Sequence, residues 1–147
     1  MKATVAIFAA LTMMTVVFAG CNGDNASPAA NSLEHRHEAA PGETLKLNDG
    51  SKWQADTNTR EAVNRMQQTV REHTGDSMAL GKVLQKQTSE LVRKCTMTGE
   101  PHNQLHIWLN RYMPAVDHLA AETDDARSGM AREQVTHLLH EYDQFFE

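Results

Sequence analysis

A thiol, a thioether, a carboxylate and two imidazoles fall within twelve residues: Cys95-Thr-Met-Thr-Gly-Glu-Pro-His102-Asn-Gln-Leu-His106. A deprotonated thiol and neutral imidazoles together bind zinc or copper. His102 and His106 are spaced by one helical turn and would lie on one side of a helix. Gly99 suits the left-handed position after a helix end, and Pro101 suits the first turn of a new helix, so the stretch reads as a break between two helices. Cys95 then closes one helix while His102 and His106 open the next, and a tight antiparallel connection brings the three together. These are the first-choice metal ligands. A further donor would be Met97, Glu100, Tyr142 or water. Thioether with thiolate favours copper(I); carboxylate or water favours zinc.

Each residue also has a plainer reading. A cysteine on an apolar arc is most often a small buried side chain. Histidines in a first helical turn are often half-exposed, hydrogen-bonded groups. Met97 can simply cover a helix end, and Glu100 can favour the positive helix pole. The metal reading rests on the joint occurrence of Cys95, His102 and His106. A catalytic Cys–His pair is the enzymatic alternative. Helix polarity counts against it, because the partial negative charge at a helix C-terminus works against a thiolate there. No oxyanion site or paired acid and base accompanies it, so the reading is of a binding protein. Haem ranks third, as a non-covalent possibility only, since no Cys-x-x-Cys-His attachment is present. His73 falls on an apolar stripe but toward the opposite end from Cys95, and reads as a bundle-end residue with its own hydrogen bond.

The elements that must position these groups are helical. Asn58 with Glu61 three residues on has the form of a capping box. Ala62, Val63, Met66, Val70 and His73 then recur at helical spacing as far as Gly75. A second helix starts near Asp76 and carries Leu80, Leu84, Leu91, Val92 and Cys95. A third runs from Pro101 to about Ala121 with Leu105, Leu109, Tyr112, Val116 and Leu119. A fourth begins near Thr123, whose hydroxyl can cap it beside Asp124 and Asp125. It carries Ala131, Val135, Leu138, Tyr142 and Phe145, with Gly129 a possible point of delay or kinking. Met66, Met113 and Met130 read as core filling; His118, His137 and His140 fall on solvent faces. Short connections between such stripes predict an all-α, up-down-up-down four-helix bundle.

Ahead of it, Asn48-Asp49-Gly50 signals a turn between two short segments, a small β-hairpin or extended arm that must pack on the bundle. That arm enters at the end carrying the second-to-third connection, so Trp53 would cover the site. Val63, Met66, Tyr142 and Phe145 would surround it.

Residues 1–20 read as a targeting segment: Lys2, then an uncharged apolar run to Phe18, then Ala19-Gly20-Cys21. The ending resembles the lipobox of bacterial lipoproteins, in which cleavage precedes the cysteine and the cysteine carries the acyl (palmitate) lipid. Phe18 departs from the usual Leu; a plain secretory signal or uncleaved anchor is the other reading. Asn22, not Asp, follows Cys21, which points to the outer membrane, facing the periplasm, rather than the inner membrane. Residues 21–43 are the lipidated cysteine and a tether rich in Asn, Ala, Ser and Pro. As flexible coil it would hold the body on the order of 25 Å from the anchor. His35 and His37 within it read as solvated linker residues. Residues 44–147 are the folded body, one domain's worth of chain.

With Cys21 acylated, Cys95 is the one remaining thiol in an oxidising compartment, which must be buried, bound or paired with another molecule. The net charge of −5 and the lack of a basic stripe argue against nucleic-acid binding.

Leu47-Asn-Asp-Gly-Ser-Lys-Trp53, with the Cys95–His106 stretch, resembles a group of small bacterial lipoproteins of uncharacterised activity. The resemblance covers residues 44–147 and implies a small helical domain. The expectation is therefore a lipid-anchored envelope protein that binds copper or zinc for buffering, delivery or sensing. The alternative is a structural adaptor that docks another envelope protein, with Cys95 merely buried.

Overall fold

The computed structural model describes residues 43–147. Cys21, the expected signal segment and nearly all of the expected tether, including His35 and His37, lie outside the described residues. Four helices follow one another: α1 (Thr57–Glu72), α2 (Ser77–Lys94), α3 (Gly99–Ala121) and α4 (Asp125–Phe145). Among the described residues there is no strand, and no helix is long and apolar enough to cross a membrane.

Side-chain ties show how the helices run. Asn58 at the start of α1 donates to the Lys94 carbonyl at the end of α2 (3.2 Å). Gln85 of α2 donates to Asp117 of α3 (2.8 Å). Arg132, near the start of α4, donates to the carbonyls of Val70 and His73 at the end of α1. Neighbours are antiparallel, and the bundle is up-down-up-down, as the short connections require.

Three aspartates start three of the helices. Asp56 Oδ1 accepts from Thr59 N, Asp76 Oδ1 from Ala79 N and Asp124 Oδ1 from Arg127 N. Each satisfies an amide left over at a helix start. Asp76 is the cap predicted for α2. Asp56 and Asp124 displace Asn58 and Thr123, because a carboxylate meets the positive helix end with charge as well as a hydrogen bond. Asn58 is drawn instead to the end of α2, and Gly129 lies inside α4 without delaying it.

The predicted stripes form the core: Val63, Met66, Leu80, Leu84, Leu91, Leu105, Tyr112, Val116, Leu119 and Val135 are all almost completely buried. Trp108, absent from the predicted stripe, is completely buried, and its Nε1 donates to the Leu138 carbonyl (2.8 Å). Three expected core residues are on the surface: Val92 is 49% exposed, Met113 43% and Met130 61%. Gly81 marks a close approach of α2 to α3, where a Cβ would lie 2.4 Å from Ala120 N.

The arm forms only its turn. Asn48 and Ser51 exchange two 2.9 Å bonds around Asp49 and Gly50, both at positive φ. That is the geometry a two-residue hairpin loop demands. No ladder extends from it. Instead the chain beyond pairs in parallel with the end of α4: Trp53 N donates to Phe145 O (2.7 Å) and Glu147 N to Trp53 O (2.9 Å). Phe146 is buried in that pairing while Phe145 is only half-buried, the reverse of the expected role. The helix ends there, and the extended backbone swings the next side chain inward.

Candidate metal site

The thiol and the two imidazoles meet at one end of the bundle, in a row. Cys95 is the C-cap residue of α2, half-buried against the core. Its Sγ lies 3.7 Å from His102 Nδ1. The opposite nitrogen of the same ring, His102 Nε2, lies 3.0 Å from His106 Nε2, with the two rings edge-on. One turn of α3 sets the His–His spacing, and the tight α2–α3 connection sets the Cys–His spacing.

Cys95 and Thr98 both have extended backbone, and Gly99 adopts φ +68° at the first position of α3. The left-handed residue predicted there is real, although it opens α3 rather than ending α2. Thr96 turns outward to Asp56, whose Oδ2 accepts from both its N–H and its hydroxyl. Cys95 and Met97, on either side of Thr96, both pack against the core.

The carboxylate of the stretch is occupied elsewhere. Glu100 is exposed, and its oxygens accept from Gln104 Nε2 (2.8 Å) and Asn103 Nδ2 (3.2 Å). Those bonds hold its carboxyl below the usual range. Gln104 was not singled out by residue type, yet it is buried and ties the arm to α3, accepting from Lys46 N at 2.9 Å. Its position beside Leu105, on the edge of the apolar arc, is the only hint the chain offers.

Trp53 arrives at the expected end. Its indole is half-buried against the core, and its Nε1 donates to the Lys46 carbonyl (2.6 Å). Tyr142 is buried, stacked on Phe146 at 4.7 Å and edge-on to Trp108 at 5.3 Å, and its hydroxyl has no hydrogen-bond partner among the described residues. Burial, then the charge of Asp143, push its phenol well above the usual range; Arg60 opposes this, and Asp56 and Cys95 add to it. His73 caps the far end of α1, with Nε2 3.1 Å from the Asp76 carbonyl, at the opposite end of that helix from the Cys–His row.

Chemically the row offers two donor pairs that share one ring. Metal–sulfur and metal–nitrogen bonds of about 2.3 and 2.0–2.1 Å place two ligands of one ion roughly 3.5–4 Å apart. The Cys95–His102 Nδ1 spacing falls in that interval. One imidazole cannot give both nitrogens to the same ion, so the third donor does not converge with the first two. Among the described residues, no three His, Cys, Asp or Glu side chains surround a common point. Comparison with protein-family models, curated proteins and solved structures gives no match to this chain.

Proposed function

We propose that the protein binds a transition-metal ion of the copper or zinc class, held first by Cys95 Sγ and His102 Nδ1. The observation that carries this reading is their 3.7 Å separation in a half-buried position against the core. His106, a first-choice ligand by spacing, then acts from the far side of the His102 ring. Its bond to Nε2 fixes which His102 nitrogen faces the thiol, the part commonly played by a group behind a metal-bound histidine. Anchored through a lipid on Cys21 in the bacterial envelope, at the outer membrane facing the periplasm, such a site would buffer, deliver or sense the metal. Cys95 sits at the negative end of α2, where a bound cation would offset the cost of its thiolate, and no substrate chemistry is proposed.

The test is metal uptake by the purified protein, with cobalt(II) as a spectroscopic stand-in for zinc. One equivalent should bind with a thiolate charge-transfer band. Cys95→Ser and His102→Ala should abolish both, and His106→Ala should weaken binding about 10–100-fold while keeping the band. Absence of the band at full occupancy, or unchanged binding in Cys95→Ser, sinks the reading.

A second reading, docking of another envelope protein, has one observation of its own. Val92 and Met113 stand exposed along a groove of about 450 Å³ between α2 and α3, edged by Gln85, Arg93 and Asp117. If Met113→Glu released a partner co-purified with the anchored protein while metal uptake was nil, this reading would take precedence.

A further inference from the structure

We infer that the ion is copper(I) and that Met97 brings its thioether to it beside Cys95 and His102. This rests on the metal-binding reading above and goes further by choosing the ion. In an extended chain, side chains two residues apart share a side. The connection obeys that rule: Thr96 points to Asp56, while Cys95 and Met97 both lie against the core. Both sulfur-bearing side chains thus pack against the core from a short segment whose middle residue is held outward by Asp56.

The oxygen donor that would favour zinc is withdrawn. Glu100 faces solvent and spends both carboxylate oxygens on Asn103 and Gln104 of its own helix. What remains around Cys95 is thiolate, thioether and imidazole. Soft sulfur ligands select copper(I), whereas zinc sites draw on Cys, His and carboxylate and seldom on thioether.

The experiment competes the full-length reduced protein, without oxygen, against a chromophoric copper(I) chelator and, separately, against a zinc chromophore. One copper(I) per chain should be taken in preference to zinc. Met97→Leu conserves side-chain volume. It should weaken copper(I) binding about tenfold or more, with the thermal midpoint unchanged. X-ray absorption of the copper-loaded protein should show two sulfur neighbours, falling to one in Met97→Leu. A single sulfur neighbour in the unaltered protein, unchanged affinity in Met97→Leu, or preference for zinc overturns the inference while leaving the metal reading intact. Failure to take either metal overturns both.

Discussion

Asp56 and Thr96, forty residues apart in sequence, are joined by two hydrogen bonds that end on one carboxylate oxygen. The other oxygen caps α1 through Thr59 N at 2.7 Å. One side chain thus ties the start of the first helix to the connection that presents Cys95 and Met97, so folding of the bundle and placement of the thiol share a fastening.

Asp56→Ala should cost more than a simple helix cap. Loss of a cap costs about 1 kcal/mol, and the two Thr96 donors also lose their partner. We expect about 2 kcal/mol by urea denaturation, against about 1 kcal/mol for Asp76→Ala, which caps α2 and has no such second tie. Equal losses would show that the Thr96 bonds contribute nothing.

Asp56 also predicts an acid transition. Burial raises its pKa, but hydrogen bonds from the Thr96 hydroxyl and the Thr96 and Thr59 backbone N–H groups outweigh this and bring it from 3.8 down to about 2. A carboxyl more acidic when folded stabilises the fold above the unfolded pKa. The contribution is lost as pH falls from about 4 to 2, where the unfolded chain takes up the proton first. Asp56→Asn should therefore flatten the fall in stability across that window. An identical pH profile for the two proteins refutes this.

Two glycines should respond in opposite directions. Gly81→Ala would drive a methyl group into the α3 backbone at Ala120 and Leu119, destabilising by about 1–3 kcal/mol. Gly129 faces open space inside α4, so Gly129→Ala should stabilise by about 0.5–1 kcal/mol. Denaturation midpoints shifting in the same direction would contradict the α2–α3 contact.

Neighbouring phenylalanines test the end of α4. Phe146 is buried on Tyr142, and Phe146→Ala should cost about 3 kcal/mol; half-buried Phe145→Ala should cost clearly less. Fluorescence of Trp53, whose backbone pairs with this segment, should shift to the red in Phe146→Ala as the pairing loosens.

The four helices and most of the core could be read from the chain because apolar spacing at about 3.6 residues states which side chains share a face. Asp76, the turn around Gly50 and the positive φ of Gly99 were equally legible, each being a local matter of capping or backbone freedom. The edges of each face were not. Val92 and Met113 sit at helical spacing and are still uncovered, since periodicity says nothing about how far a neighbouring helix reaches. Gln104 was passed over for its polarity, although the arm supplies the partner that makes its burial tolerable.

For the candidate site the division is the same. Residue types and spacing alone determined that Cys95, His102 and His106 would gather at one end of a bundle. Only the tertiary structure decided that they form a row rather than a cup, that Glu100 faces away and that Met97 faces in. The reason is physical. Helical period and short connections set where backbone positions lie, but the direction of a ring nitrogen or a carboxylate depends on partners distant in sequence. Here those partners include Asp56, which holds Thr96, and Gln104, which takes Glu100 while accepting from Lys46.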